Sequence, residues 1–416
     1  MITSLRLKDF KNFADETLRV GPFTVIVGAN ASGKSNIRDA FRFLHGIGRG
    51  YTLAEIIGGK YGAGAQPESV PIRGATDEII RVGKSTNPSP PLLPAFALEI
   101  ELTTQAATAG YAIEVSREIG KSGFRITYER LQMAGESVYE KPRSNYGNRR
   151  VDLGTKRAIE VDLDRPALVQ VLESLEVSHS DREQLRSVVD VLASMRFPEF
   201  SPDRMREPAF SNQTKLGDWG GNLPTVLKEI CSDHDRKSVL IEWIRELTPM
   251  DVEDFDFPPD PSGRIHLKIR EPGRDISAYS ASDGTLRFLG VLAALLGRDP
   301  TRLYFFEEID IGLHPSRLHL LVDLIERQTA KGGVQVIATT HSPDLLSMVS
   351  DETFENTSVT CRLEDTNDAI IRPVADLHNA RKLRKTQGLG RLLAGSWMET
   401  ALAFAEGNGD SGELSE

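Results

Sequence analysis

One nine-residue stretch, GANASGKSN at residues 28–36, limits what this chain can fold into more than any other. It follows the apolar run FTVIV, which is typical of a buried strand, and it precedes the amphipathic run IRDAFRFL, which predicts a helix from about Lys34 to Leu44. The stretch fits the pattern G-x-x-x-x-G-K-[ST], in which backbone N–H groups close around a phosphate at a helix N-terminus. Strand, phosphate loop and helix in this order predict an α/β fold with a nucleotide site.

Each residue type in this loop has an expected contact with the bound nucleotide. Lys34 would reach the β- and γ-phosphates, and the hydroxyl of Ser35 would be a ligand of Mg²⁺. A glycine-rich turn that fits the pattern by chance is the competing explanation, which the strand–loop–helix context disfavours. The loop residues predicted to bind nucleotide are Gly28, Asn30, Ala31, Ser32, Gly33, Lys34, Ser35 and Asn36.

A second apolar strand ends in two carboxylates. RLYFFEE, residues 302–308, finishes with Glu307 and Glu308. A metal-bound nucleotide needs an acidic group near Mg²⁺, and hydrolysis needs a base that orients water. Glu307 suits the first role and Glu308 the second. Two solvated acids at a strand end would be the simpler explanation, but the phosphate loop elsewhere in the chain disfavours it.

Two further motifs have both a functional and a structural explanation. VQVIATTH ends at His341, which at the carboxyl edge of the sheet would bond the γ-phosphate or the attacking water, or would merely precede a helix capped by Ser342. SASDGTLR contains Ser282 and Gly284, which would bind an anion at a helix N-terminus or simply begin a capped core helix. Because one helix N-terminus already serves the phosphates, a second is useful only to another subunit's nucleotide.

The remaining pattern predicts how the chain is organised. The first 28 residues predict two strands, residues 46–94 a long irregular segment, residues 95–160 an antiparallel meander and residues 165–250 a helical lobe. Strands and helices alternate from residue 264, which predicts an α/β fold with a doubly wound, mostly parallel sheet. The predicted parts are 1–164 and 259–375, forming one ATPase-type core, 165–258, the inserted helical lobe, and 376–416, a helical segment with an acidic tail.

Composition and charge exclude several classes of protein. The chain has a formal net charge of −10, so it does not coat nucleic acid. It lacks an apolar run long enough to span a bilayer and an opening typical of a secretory signal, and its two cysteines have no zinc-site spacing. These features predict a cytoplasmic protein without membrane contact.

Basic segments leave contact with DNA or RNA open. A solvated face is the ordinary explanation for such segments, and Arg204 and Arg206 would instead suit a nucleotide or dimer interface. The basic segments are RKLRK at 381–385, NRR at 148–150 with Lys156 and Arg157, and RMR at 204–206.

These motifs, in this order, resemble those of ABC-type ATPases of the SMC/RecF branch, and within it the OLD-type ATPases of the AAA family. GANASGKSN resembles the Walker A loop, SDGT the signature, YFFEE Walker B, GLHP the D-loop and THSP the switch histidine. The likeness covers residues 1–395 and includes the opening I-x-x-L-x-L-x-x-F-K-N-F and the segments FSPDRMREP and GGNLPTVL. Nothing after residue 375 resembles the Toprim nuclease domain of full-length OLD proteins, and no long coiled coil separates the halves.

The resemblance implies a head-to-tail dimer with ATP and Mg²⁺ between the chains. Ser282 and Gly284 of one chain would complete a γ-phosphate site that the other chain holds through Lys34, Ser35 and Glu308. Nucleotide binding would then act as a conformational switch.

The resemblance also assigns the adenine or ribose side of the site. Lys11, Asn12 and Phe13 lie where the family contacts that side, and Phe13 would stack on the base. Glu307 stands where an Asp is more usual in the family.

For function, the resemblance implies a dimerising ATPase that is the sensor or motor of a multi-protein system. Anti-phage defence with a separately encoded nuclease or toxin is the leading expectation, with a homodimer or higher oligomer as the assembly. The alternatives are a RecF-like DNA-repair ATPase and an assembly scaffold that hydrolyses ATP slowly.

Overall fold

The computed structural model describes most of the chain. The predicted acidic tail at 406–416 and Lys156 lie outside the described residues. Those residues are 1–61, 67–74, 76–83, 93–104, 107–117, 123–144, 147–154, 157–210, 213–298, 300–363, 366–395, 397–398, 400 and 402.

Strands and helices occupy most of this described part. The strands are β1 (Ile2–Phe10), β2 (Phe13–Arg19), β3 (Phe23–Val27), β4 (Lys60–Tyr61), β5 (Pro67–Ser69), β6 (Ala95–Thr103), β7 (Thr108–Arg117), β8 (Phe124–Met133), β9 (Glu136–Lys141), β10 (Arg150–Leu153), β11 (Ala158–Glu160), β12 (Met195–Arg196), β13 (Asp254–Asp256), β14 (Lys268–Glu271), β15 (Arg274–Ser277), β16 (Leu303–Phe306), β17 (Gln335–Thr339), β18 (Thr357–Arg362) and β19 (Ala369–Pro373). The helices are α1 (Lys34–Gly48), α2 (Leu53–Gly58), α3 (Ala167–Glu173), α4 (His179–Ala193), α5 (Pro202–Arg206), α6 (Leu223–Cys231), α7 (His234–Leu247), α8 (Asp283–Leu296), α9 (Leu318–Ala330), α10 (Pro343–Met348), α11 (Asp351–Glu355), α12 (Ala380–Gln387) and α13 (Leu389–Ala394).

One large sheet organises these elements. Its order is β11-β10-β9-β8-β7-β6-β1-β2-β19-β18-β3-β17-β16-β12. From β18 to β12 all neighbours are parallel, while β1 and β6 to β11 form an antiparallel meander that continues the sheet. The predicted α/β fold, with a parallel core and an antiparallel meander, is confirmed.

The N-terminal segment differs from its prediction of two strands. It forms three, because the segment TLRVGPFTVIV divides at Gly21 and Pro22. Proline lacks the N–H that a continuous ladder requires, and Gly21 donates its own N–H to the hydroxyl of Thr24 at 2.9 Å. As a result β2 pairs with β1, and β3 enters the parallel core.

Helix α1 is longer than predicted, because its glycines allow close packing and do not end the helix. A Cβ on Gly48 would lie 2.5 Å from the Cβ of Leu192 on α4, and one on Gly46 would lie 2.6 Å from Ile56 on α2. Glycine lowers the stability of a helix by about 1 kcal/mol relative to alanine. The close packing of α2 and α4 against α1 offsets this loss here. The predicted irregular segment 46–94 accordingly contains the end of α1, helix α2 and the hairpin β4–β5.

The helices between residues 165 and 250 pack on both faces of the sheet. Leu168 of α3 and Leu185 of α4 join the core that contains α1, whereas Leu227 of α6 and Ile244 of α7 join the core that contains α8 and α9. Strand β12 lies between the two sets and pairs in parallel with β16 at the sheet edge. The boundaries at 164 and 258 stay predictions.

A fully buried carboxylate attaches α3 to the meander. Glu129 on β8 accepts hydrogen bonds from the hydroxyls of Tyr111 at 3.1 Å and Tyr139 at 2.7 Å. It also accepts the backbone N–H groups of Ala167 and Leu168, each at 2.7 Å, at the start of α3. Burial raises the pKa of Glu129, while these four donors oppose that rise. None of the described helices is both long and apolar enough to cross a bilayer.

Candidate functional site

The phosphate loop occupies the turn between β3 and α1, and its shape requires glycine. Gly28 has φ 149° and Gly33 has φ 106°, both in the region that favours glycine. A Cβ on Gly28 would lie 2.2 Å from the carbonyl oxygen of Thr360, and one on Gly33 would lie 2.8 Å from the ring of Phe13. No side chain of the described residues caps α1, so its first N–H groups are suited to donate hydrogen bonds to an anion.

Lys34 lies across this loop. Its ammonium donates to the carbonyl oxygens of Gly28 and Ala29, each at 2.7 Å, and the residue is 8% exposed. The phosphate oxygens of a bound nucleotide would compete with these carbonyls for the same ammonium. This geometry is consistent with the phosphate contact predicted for Lys34.

The parallel strands bring most of the predicted residues to one cleft. β3, β16, β17 and β18 all point their carboxyl ends toward the same edge of the sheet. The cleft at this edge has a volume of about 640 Å³, which suits a mononucleotide. Its lining residues are Asn12, Asn30, Ala31, Ser32, Gly33, Lys34, Ser35, Asn36, Arg73, Glu307, Glu308, Thr339, His341, Arg362 and Asn367.

Glu307, the predicted metal ligand, lies between two arginines. Its Oε2 is 2.7 Å from Nη1 of Arg38, and its Oε1 is 3.5 Å from Nη2 of Arg73. The same Nη2 of Arg73 donates to the carbonyl of Ser35 at 2.7 Å, so Arg73 bridges the two predicted magnesium ligands.

Arg38 is buried with only 3% of its side chain exposed, and it also contacts Glu199 at 2.6 Å. Burial, followed by the charge of Arg42, lowers the pKa of Arg38. Burial raises the pKa of Glu199, but Arg38 and Arg42 outweigh it, and the net pKa is lowered. The contacts of Arg38 Nη1 lack hydrogen-bond alignment, so the attraction to Glu199 and Glu307 is electrostatic.

A magnesium ion fits this arrangement as an ion that arrives with the nucleotide. Ser35 offers a hydroxyl and Glu307 a carboxylate, and both are oxygen ligands of the kind that Mg²⁺ prefers. Among the described residues no group of three or more His, Cys, Asp or Glu side chains is placed to hold a metal. The remaining ligands would therefore be phosphate oxygens and water.

The Arg38 contact leads to a prediction about magnesium dependence. In Arg38→Met, Glu307 no longer shares its charge with a buried guanidinium, so we expect the magnesium concentration for half-maximal ATPase activity to fall several-fold. Arg42→Met is the matched control, because Arg42 contacts Glu199 at 2.8 Å and, in the described part of the chain, forms no ion pair with Glu307. Equal magnesium titrations for the wild type and Arg38→Met would contradict the competition between Arg38 and the ion.

Glu308 and His341 lie at the same end of the cleft. Glu308 is exposed, has the left-handed φ of 47°, and its N–H donates to the hydroxyl of Thr339 at 2.9 Å. Such a backbone is unusual outside glycine and recurs at functional sites. Thr340, which precedes the exposed His341, donates to Asp310 at 2.6 Å and so joins the two strand ends.

Ser282 and Gly284 do not line this cleft, although Gly284 lines a neighbouring pocket together with Glu307 and Glu308. Ser282 caps α8 by accepting the N–H of Thr285 at 3.1 Å, and a Cβ on Gly284 would lie 2.3 Å from the carbonyl of Gly312. Arg206 donates to Asp283 at 2.5 Å, which places it beside this helix end. Service to another subunit's nucleotide stays a prediction.

The predicted adenine side requires a correction. Phe13 is fully buried under Gly33, so its ring supports the loop and has no face open to a base; the predicted stacking is wrong. Lys11 pairs with the buried Asp39 at 2.5 Å and does not line the cleft. Asn12 does line it and accepts a hydrogen bond from Asn36 at 2.7 Å.

Several site residues were not predicted. Arg38 and Arg42 are four residues apart on a helix, and this spacing in the sequence already indicates that they share one face. Arg73 lies in the segment predicted to be irregular, and Arg362 belongs to no recognisable motif.

The basic segments carry mostly balanced charge. Each of the three basic segments has at least one arginine within ion-pair distance of a carboxylate. This pairing weakens the attraction of these segments for nucleic acid. The pairs are Arg149–Asp162, Arg150–Asp152, Arg157–Glu176, Arg206–Asp203, Arg381–Glu355 and Arg384–Asp351.

Comparison with solved structures finds similar folds at low identity. An SMC head domain from Thermotoga maritima is 16% identical with a TM-score of 0.43, and the match covers 90% of this chain and 98% of that one. An SmcHead bound to the C-winged helix domain of ScpA is 16% identical with a TM-score of 0.45, covering 89% and 96%. An Smc head domain with an extended coiled coil, bound to the C-terminal domain of ScpA derived from Pyrococcus furiosus, is 13% identical with a TM-score of 0.44, covering 92% and 98%. These values carry no functional conclusion.

Sequence comparison identifies the family. No curated protein sequence matches the chain significantly. A family model described as "AAA domain, putative AbiEii toxin, Type IV TA system" matches residues 23–347. Because that match spans most of the chain, and includes the phosphate loop and the strands that lead to Glu308 and His341, the chain belongs to this family of AAA domains and is a P-loop ATPase of the AAA type.

Proposed function

We propose that this chain binds ATP with Mg²⁺ in the cleft, hydrolyses it, and forms a head-to-tail dimer around two nucleotides. One observation carries the proposal: the phosphate loop, two acids and a histidine share one cleft, while Ser282 and Gly284 lie outside it. The cleft thus offers every group needed to bind and cleave a triphosphate except a second helix N-terminus. A partner chain would supply that element.

The phosphate loop, the two acids and the histidine have separate roles in this proposal. Lys34 and the loop N–H groups bind the β- and γ-phosphates, and Ser35 and Glu307 hold Mg²⁺. The ion supplies charge neutralisation on the phosphate oxygens.

Glu308 accepts a proton from the attacking water and orients that water in line with the γ-phosphate. The hydrogen bond from its N–H to Thr339 fixes its backbone. His341 contacts the γ-phosphate from the neighbouring strand end.

The dimer would complete the site through the exposed N-terminus of α8. Ser282 and Asp283 are exposed there, and Arg206 fixes the orientation of Asp283. A two-fold assembly presents this surface of each chain to the cleft of the other, so both sites form at once. Nucleotide binding would then control association, and hydrolysis would release it.

A complementation experiment tests this arrangement. Lys34→Ala removes the phosphate contact and Ser282→Arg blocks the α8 N-terminus, so each variant alone is expected to lose ATPase activity. A mixture of the two forms mixed dimers with one intact site, which restores up to about a quarter of the wild-type rate. Wild-type turnover by Ser282→Arg alone, independent of protein concentration, would contradict the shared site.

The cellular role that we propose is the sensor or motor of a defence system with a separate effector. The family description names a toxin and a type IV toxin–antitoxin system, and the sequence motifs resemble those of OLD-type ATPases.

Two alternatives remain as candidate functions. A RecF-like repair ATPase requires DNA contact, which the paired arginines of the basic segments disfavour. A scaffold would assemble with ATP but hydrolyse it slowly.

Purification of the tagged protein from its native host, with and without ATP, separates these functions. Recovery of a stoichiometric nuclease or toxin supports the defence role. Recombination proteins with DNA would favour repair, and recovery of this chain alone would favour the scaffold.

A further inference from the structure

With Phe13 buried, the side of the cleft that meets the nucleoside needs another residue. In the sheet order β2-β19-β18-β3-β17-β16, the phosphate loop follows the central strand β3. Glu307, Glu308 and His341 follow β16 and β17 on one side of it. The γ-phosphate therefore belongs on that side, and the nucleoside extends over β18, β19 and β2.

Arg362 and Asn367 line the cleft on this nucleoside side. Arg362 ends β18, and its Nη2 donates to Oδ1 of Asn367 at 3.0 Å. Asn367 has the left-handed φ of 61°, and its N–H donates to the carbonyl of Leu363 at 3.0 Å. The guanidinium is thus exposed to the cleft and hydrogen-bonded to a neighbouring amide.

The surrounding contacts fix this corner before any ligand binds. The N–H of Ala369 donates to the carbonyl of Asn12 at 2.6 Å, which joins the two turns that border the cleft. Asp368 pairs with Arg81 at 3.1 Å, and Arg81 also pairs with Asp9 at 3.1 Å. A contact surface held in this way loses little entropy when a nucleotide binds.

A guanidinium in such a place has a specific use. It is planar, weakly hydrated and always charged, and it stacks on aromatic rings, including nucleobases. A lysine at the same position would keep the charge but not the planar surface.

We propose that Arg362, oriented by Asn367, forms the base-side wall of the nucleotide site and stacks on the adenine. This inference rests on the proposed nucleotide site and adds the residue that holds its nucleoside end. Arg362 then contributes to the affinity for a nucleotide but not to the affinity for a bare phosphate chain.

Calorimetric titration with ADP and with inorganic pyrophosphate tests the proposal, because neither probe can be hydrolysed at the γ-position. Arg362→Ala is expected to weaken ADP binding about tenfold, in the range for cation–π contacts, and to leave pyrophosphate binding unchanged. Arg362→Lys should resemble Arg362→Ala, and Asn367→Ala should show a smaller loss. Arg327→Ala is the control, since Arg327 is an arginine on α9 whose side chain is 68% exposed.

Three outcomes would overturn the proposal. Equal weakening of ADP and pyrophosphate would assign Arg362 to the phosphates. Full recovery by Arg362→Lys would show a charge contact without stacking, and unchanged ADP binding in Arg362→Ala would show no contact. By contrast, a wild-type protein that binds neither ADP nor ATP would refute the proposed function itself.

Discussion

Glu308→Gln is expected to lower ATP turnover by about 10²-fold or more, while ATP binding persists. Glutamine has nearly the same shape as glutamate but cannot accept a proton from the attacking water. The hydrogen bond from the N–H of residue 308 to Thr339 involves only the backbone of residue 308, so the local structure should be retained. Because hydrolysis no longer releases the nucleotide, ATP-bound dimers should accumulate.

Phosphate release and light-scattering mass with ATP measure the two effects together. Glu352→Gln, an exposed glutamate on α11, is the control for loss of one negative charge. Glu307→Gln should differ from both, because removal of the charged magnesium ligand raises the magnesium concentration that half-maximal activity requires. A Glu308→Gln protein that keeps more than about a tenth of wild-type turnover would remove Glu308 from the role of base.

Glu129→Ala is expected to lower the free energy of unfolding by at least about 4 kcal/mol, since it leaves four buried donors unpaired and each costs about 1–3 kcal/mol. The variant leaves the hydroxyls of Tyr111 and Tyr139, and two N–H groups at the start of α3, without their acceptor. The carboxylate also balances the partial positive charge at the start of that helix. The loss should be greatest for α3 and the meander strands that contact it.

Urea unfolding followed by circular dichroism provides the measurement. Glu136→Ala changes an exposed glutamate at the start of β9 and should shift the midpoint little. Tyr139→Phe removes one donor together with its need for an acceptor, so we expect a loss of about 1 kcal/mol. If Glu129→Ala unfolds at the same urea concentration as Glu136→Ala, the four hydrogen bonds do not stabilise the fold.

The second half of the chain was largely predictable from its sequence. The strands β16 and β17 are buried throughout and mostly apolar, as strands covered on both faces must be, and polar residues follow each of them. Parallel strands end at one edge, so Glu308 and His341 were expected near the phosphate loop. The cleft confirms that they meet there.

Other features depend on contacts between distant segments and were not readable from local pattern. The family resemblance placed Phe13 on the adenine or ribose side of the site; only the packing of β2 against Gly33 shows why it is buried. Arg38 is a charged residue in an amphipathic helix, where a charged side chain is normally exposed. Its burial arises because Glu199 and Glu307, far away in sequence, both reach it.

The two-residue strand β12 connects helix α4 to the acids of the cleft. Met195 pairs with Leu303 and Arg196 with Tyr304, on the strand that leads to Glu307. Glu199, three residues after Arg196, contacts the guanidinium of Arg38, which also contacts Glu307. If α4 is displaced, either residues 197–198 change conformation or Glu199 moves. Movement of Glu199 would alter its contact with Arg38 and so the charge that Arg38 presents to Glu307. A protein that binds α3 and α4 would have a path of fewer than ten residues to the magnesium ligand.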